Sequence, residues 1–199
     1  MHPDFELLMD SKKINADEKV RLATLAIGAI IPDKFMDIAE KNEIGYAFYP
    51  HTVFKKYGVH LDEIKMDEWY DKLVEDKDIR KKEINPRQLL TRIAQTQQES
   101  GYPYVVYIDT ANKEHTLKDV GKIKMSNLCC EIFQYQTPSD IQGYGGNNDW
   151  GQDISCNLGS LNIANVMDNK DIESTVDTAI RALTFVSDKT NINEVPTVK

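Results

Sequence analysis

No run of apolar residues in this 199-residue chain approaches the roughly 20 needed to cross a bilayer. The start, Met1-His2-Pro3-Asp4-Phe5-Glu6, lacks the basic region and apolar stretch of a secretory signal. Basic charge is also in deficit, 24 Lys+Arg against 32 Asp+Glu, for a formal net charge of −8. That balance argues against a nucleic-acid backbone as the main partner. It leaves nucleotides open, because a phosphate can sit on the N–H groups of a helix start. Cysteine is scarce, three in all, and two of the three are adjacent. An odd number with an adjacent pair is no disulfide framework and points to a reducing, cytoplasmic setting. No C-x-x-C spacing occurs, and the four histidines are scattered, so neither a zinc-site nor a redoxin pattern is present. There is no internal repeat and no low-complexity segment.

What is present reads as alternating α and β elements, with enough hydrophobic residues (41%) for one core. Residues 1–15, including Lys12-Lys13, read as a polar surface connection. From Ala16 to Ile30 the near-continuous apolar residues predict a buried helix, closed by Pro32. Pro32-Asp33 opens a second helix with Phe35, Met36, Ile38 and Ala39 inward. Ile44–Tyr49 reads as a strand. Val53–Tyr57 reads as a short helix stopped by Gly58, and 67–74 as another helix. Glu75–Glu83 reads as a solvated helix end and loop. Asn85-Pro86 is a cap followed by a first-turn proline, and the helix it starts ends at Gly101. Tyr104–Ile108 is the best strand pattern. Asp109–Gly121 reads as a polar connection. Thr137–Asp153 reads as a loop, loosest at Gly143-Tyr144-Gly145-Gly146. A helix over 161–167 and an amphipathic helix over 171–186 follow, and Pro196 precedes the final Lys199.

One short stretch gathers reactive groups: Ser126-Asn127-Leu128-Cys129-Cys130-Glu131-Ile132. If extended, it would place Asn127, Cys129 and Glu131 on one face and Leu128, Cys130 and Ile132 on the core face. An amide, a thiol and a carboxylate on one face make a reaction site. Cys156, followed by Asn157-Leu158-Gly159-Ser160, lies 27 residues after Cys129 across a polar loop, which can close at modest entropic cost. From the residues alone three readings stay open: buried inert thiols, a Cys–His nucleophile using one of His2, His51, His60 or His115, or a reaction centre of another kind. Cys130, on the core side of the alternation, reads as a bystander.

Ser126-Asn127-Leu128-Cys129-x-Glu131-Ile132 and Asp153-Ile154-Ser155-Cys156-Asn157-Leu158-Gly159-Ser160-Leu161-Asn162 together resemble the catalytic subunit of ribonucleotide reductase, in its class Ib form. Glu99-Ser100-Gly101-Tyr102-Pro103-Tyr104, Asn15–Arg21 and Ile31-Pro32-Asp33 resemble the same subunit, in order along the chain. The resemblance implies a ten-stranded α/β barrel of two half-barrels, with a finger loop carrying the active cysteine. It implies that residues 1–199 are one partial domain, the middle of that barrel. Cys129 would be the thiyl radical site, Glu131 the acceptor of the 3′-OH proton, and Asn127 a hydrogen-bonding partner of the substrate hydroxyls. Ser126 would line the substrate site with them. Cys156 would be half of the redox dithiol.

The substrate so implied is a ribonucleoside diphosphate, and the activity its reduction to a deoxyribonucleotide for DNA synthesis. The chain itself would bind no cofactor. A small subunit with a dimetal-tyrosyl centre would supply the radical, a redoxin-type reductant the electrons, and ATP or dNTP effectors the control of a homodimeric whole. The second redox cysteine, the relay tyrosines, the phosphate loop and the mobile cysteine tail of that family are not found in this sequence. The chain is therefore expected to be an internal piece, with a non-catalytic fragment or split-gene scaffold as the alternative.

Overall fold

The computed structural model describes residues 2–15, 17–143 and 145–191. Ala16, Tyr144 and the Pro196–Lys199 end, each named in the sequence reading, lie outside the described residues. The chain divides into two compact units, Met1–Gln134 and Tyr135–Lys199.

In the first unit the order is α1 (Phe5–Asp10), β1 (Gly28–Ile31), α2 (Asp33–Lys41), β2 (Gly45–Phe48), α3 (Pro50–Tyr57), α4 (Met66–Glu75), β3 (Lys81–Ile84), α5 (Pro86–Ser100), β4 (Tyr104–Tyr107) and α6 (Ile108–Glu114). Strands β1 and β4 pair in parallel, Gly28 opposite Tyr104 and Ile31 opposite Tyr107. Parallel neighbours need a long crossover, and here α2 to α5 supply it. Strands β2 and β3 form an antiparallel pair, Gly45 opposite Ile84 and Phe48 opposite Lys81. The arrangement is α/β, as expected. Among the described residues there are four strands in two pairs and no closed barrel.

Local chemistry sets the element ends. Asn85 accepts a hydrogen bond from the Gln88 N–H and Pro86 takes the first helical position of α5. Gly101 (φ +76°) ends α5 and Gly58 (φ +69°) ends α3, both in the left-handed conformation. The Asp33 N–H at the start of α2 is accepted by the Asp109 carboxylate at 2.8 Å, although 76 residues separate them. One core cluster joins Met9, Ile31, Phe35, Leu89 and Ile93. A second joins Phe48, Val53, Leu73 and Ile79.

Four expectations need correction. The buried helix from Ala16 to Ile30 is not formed. Residues 18–20 make a turn, β1 begins at Gly28, and Val20 (62%) and Leu25 (52%) are exposed. Long-range bonds draw this segment out instead. Leu22 N donates to Ser11 O at 2.9 Å, Lys12 Nζ donates to Leu22 O, and Tyr104 N donates to Ile27 O at 2.9 Å. Second, residues 1–15 are not merely surface. They contain α1, Met9 is fully buried, and Lys12 is 3% exposed. Lys12 Nζ lies over the Tyr102 ring, 4.4 Å from its centre. Third, the charged end of 75–83 holds the start of β3, whose Lys82 and Glu83 face solvent as edge-strand residues do. Fourth, α6 occupies the expected polar connection, and its Asn112 side chain binds both the N–H (2.8 Å) and C=O (3.0 Å) of buried Ile123.

The second unit contains α7 (Ile163–Asp168) and α8 (Ile172–Lys189). Its Gly- and Asn-rich loop is closed by a two-way bridge between Asp140 and Asp149, at 2.8 and 2.9 Å. A side chain on Gly151 would strike the Thr137 carbonyl oxygen at 2.1 Å, so this position requires glycine.

Candidate active site

The stretch 126–132 is a closed loop, not an extended strand. Cys130 N donates to Asn127 O at 3.2 Å, making a β-turn over 127–130. Cys130 itself is left-handed, φ +61°. The chain then doubles back, so that the Glu131 N–H (3.2 Å) and Ile132 N–H (3.1 Å) both donate to Asn127 Oδ1. Asn127 N donates to Ile132 O at 3.3 Å. Asn127 Nδ2 donates to Glu131 Oε1 at 2.6 Å, a short, charge-assisted bond. Asparagine suits this position because one carboxamide can accept twice and donate as well.

The alternation reading is corrected by this geometry. Leu128, expected on the core face, is 71% exposed. Cys129 is exposed and Cys130 half-buried. Asn127 and Glu131 are brought together, but by a turn rather than by a shared strand face. Ser126 Oγ donates to Asn127 O at 3.0 Å and lies 3.1 Å from Cys130 Sγ. All three cysteines are free.

Three residues before Ser126, the backbone of Ile123 is fixed on both sides by Asn112. Tyr104, at the head of β4, stands against Tyr102 with ring centres 5.1 Å apart. Charge on the neighbouring Tyr102 oxygen and the hydrogen bond that the Tyr104 hydroxyl donates to it hold Tyr104 above its usual range, and burial and the Cys129 and Cys130 sulfurs push it the same way. Asn112 and Tyr104 did not stand out in the sequence as site residues. Asn112 sits in an unremarkable polar run, and the Gly-Tyr-Pro-Tyr turn was the one available signal for Tyr104.

In the second unit Cys156 is exposed in an irregular segment. The next residue fixes that segment. Asn157 Nδ2 donates to Ser187 Oγ at 2.5 Å and to Leu183 O at 3.4 Å, both on α8. Gly159 packs against the Leu183 side chain.

A carboxylate and a carboxamide joined by one short bond, beside an exposed thiol, can accept a proton and align a hydroxyl next to a sulfur. Comparison with known proteins shows the family of the chain. The description "Ribonucleotide reductase, barrel domain" matches residues 1–199. The chain belongs to the ribonucleotide reductase barrel-domain family. It is similar to the ribonucleoside-diphosphate reductase subunit alpha of Bacillus subtilis, 48% identical over 198 residues that cover all of this chain and 28% of the relative. The subunit alpha of Mycoplasma genitalium is 39% identical over 199 residues, 27% of its length. That of Synechocystis is 33% identical over 189 residues, which are 92% of this chain and 23% of the relative. The chain thus spans about a quarter of the curated relatives it matches. The parallel β1–β4 pair with its helical crossover is an α/β arrangement, consistent with that description.

Proposed function

We propose that this chain is a section of the catalytic subunit of a class Ib ribonucleoside-diphosphate reductase. It would form one part of a ten-stranded barrel whose finger loop is Ser126–Ile132. The observation that carries the reading is the match along the whole chain to subunits of that name, combined with Asn127, Cys129 and Glu131 in one knotted loop.

In this reading Cys129, as a thiyl radical, takes the 3′ hydrogen atom of a ribonucleoside diphosphate and becomes a thiol. An S–H bond is near enough in strength to an activated C–H bond for that exchange to reverse at the end. Glu131 accepts the 3′-OH proton as charge moves on the sugar. Asn127 aligns the hydroxyls, and Ser126 lines the site beside it. The 2′-OH leaves as water. Two electrons come from a dithiol of which Cys156 is one half, and the dithiol ends as a disulfide. The partner cysteine is absent from this chain. A small subunit with a dimetal-tyrosyl centre supplies the radical. A redoxin-type reductant restores the dithiol. ATP and dNTP effectors act on the homodimeric, cytoplasmic whole.

The alternative is a non-catalytic piece, or a split-gene product that acts only with complementing chains. One experiment addresses both. Residues 1–199 replace the matching 198 residues of the Bacillus subtilis subunit, and deoxyribonucleotide formation is measured with the radical-generating subunit. The isolated chain is expected to form none. The chimera is expected to turn over, and its Cys129→Ser variant to lose activity by about 10³-fold or more, as for removal of an essential nucleophile. A folded but inactive chimera would support the scaffold reading, and activity in the Cys129→Ser variant would remove Cys129 from its role.

A further inference from the structure

Position 130 has no assigned role, yet the loop turns on it. Cys130 is a non-glycine residue at φ +61°, a conformation that side chains with a Cβ adopt at a cost and that β-branched ones avoid. The β-turn from Asn127 O to Cys130 N delivers the chain to this residue. Only after it turns do the Glu131 and Ile132 N–H groups face Asn127 Oδ1, and only then does the Glu131 carboxylate meet Asn127 Nδ2 at 2.6 Å. The Cys130 sulfur is placed in turn by Ser126 Oγ at 3.1 Å. A Cys129–Cys130 disulfide is not the reason for the second cysteine. Adjacent Cα atoms across a trans peptide are about 3.8 Å apart, below the usual disulfide span of roughly 4.4–6.8 Å.

We propose that Cys130 is a positioning residue, whose left-handed backbone, steadied by the Ser126 hydroxyl, returns the Glu131 carboxylate to the Asn127 carboxamide. Position 130 therefore selects side chains by their tolerance of that backbone, with glycine and asparagine accepted and β-branched residues refused. The proposal rests on the reading of Asn127 and Glu131 as working groups.

The test uses the 199-residue chain with Gly, Asn, Ala and Val at position 130. Two signatures are read: hydrogen-exchange protection of the Glu131 and Ile132 amides, and the downfield shift of the Asn127 side-chain NH2 against the carboxylate. Cys130→Gly and Cys130→Asn should keep protection within about threefold of the parent, since only local opening changes. Cys130→Ala should weaken it, and Cys130→Val should lower it about tenfold or more and remove the NH2 shift. The loop lies outside both core clusters, so the melting temperature should not follow this ranking. Should Cys130→Val fail to fold, the Ala–Asn comparison decides. A flat or reversed ranking overturns the proposal. Because no turnover is measured, a flat series leaves the reductase reading standing, and an inactive chimera leaves the loop geometry standing.

Discussion

Asp76 shows how one carboxylate organises its surroundings. It accepts from Lys56 Nζ at 2.6 Å, from the Tyr57 hydroxyl at 2.5 Å and from the Asp78 N–H at 2.9 Å. Those bonds, Lys56 first, hold its carboxyl at about 2, below the ordinary carboxylate range. The sign follows from linkage. The unfolded chain binds the proton more readily than the folded one, so the contribution to stability is complete above the ordinary value and is lost as pH falls through about 2. Asp76→Asn should therefore be less stable than the parent at pH 7. The difference should shrink between roughly pH 4 and pH 2. Chemical denaturation at a series of pH values gives the difference curve, and a gap that stays constant down to pH 2 would contradict the account. The same reasoning explains why Cys129 and Glu131 could be singled out from sequence while Lys12 could not. Residue type announces a reactive thiol. Nothing in Lys12-Lys13 announces that the first lysine is buried under Leu22 and the Tyr102 ring while the second stays outside.

At the scale of elements, what depends on local chemistry alone is legible in the sequence. The Asn85-Pro86 start and Gly101 stop of α5, the Gly58 stop of α3 and the long period of α8 need no distant partner. Segments decided by distant partners are not. The apolar run before Pro32 has helical composition, but pairing with β4 and the grip of Lys12 draw it into a strand and a turn. Charged β3 forms only because β2 is there to pair with it. In the cysteine loop, Asn127 and Glu131 meet through a turn and not through period-2 alternation, because the Asn127 carboxamide offers the backbone a competing set of hydrogen bonds. The cap of α5 provides a test at this scale. Asn85→Ala should cost about 1 kcal/mol, or roughly 2–4 °C in melting temperature for a chain of this size. Asn85→Asp, which keeps an acceptor for Gln88 N, should stay within about 0.5 kcal/mol of the parent. An alanine variant that melts with the parent would show that α5 is held by Leu89 and Ile93 in the core, with no share from its cap.

For the molecule as a whole, the informative feature is apolar surface left uncovered within each unit. On α8, Ile180 (58%), Phe185 (61%) and Val186 (50%) are exposed. In the first unit Ile30 and Tyr107, both near the C-terminal end of the paired parallel strands β1 and β4, are 41% and 48% exposed. Parallel strands are ordinarily covered on both faces, and monomeric proteins seldom leave large contiguous apolar patches in water. In the subunits this chain resembles, it accounts for about a quarter of the length, so flanking sequence is available there to cover both surfaces. The chain by itself should therefore self-associate. Light scattering after size exclusion should give a mass above 22.7 kDa that grows with concentration. Replacing Ile180 and Phe185 by lysine should shift the population toward monomer while circular dichroism keeps the helical signal, because neither side chain is buried. Supplying the flanking segments of the Bacillus subtilis subunit in trans should do the same for the unaltered chain, by covering the surface rather than changing it. A sharp monomer at every concentration would mean that these faces are tolerated in water, and the chain would then be a self-sufficient folding unit, without need of flanking segments to complete it.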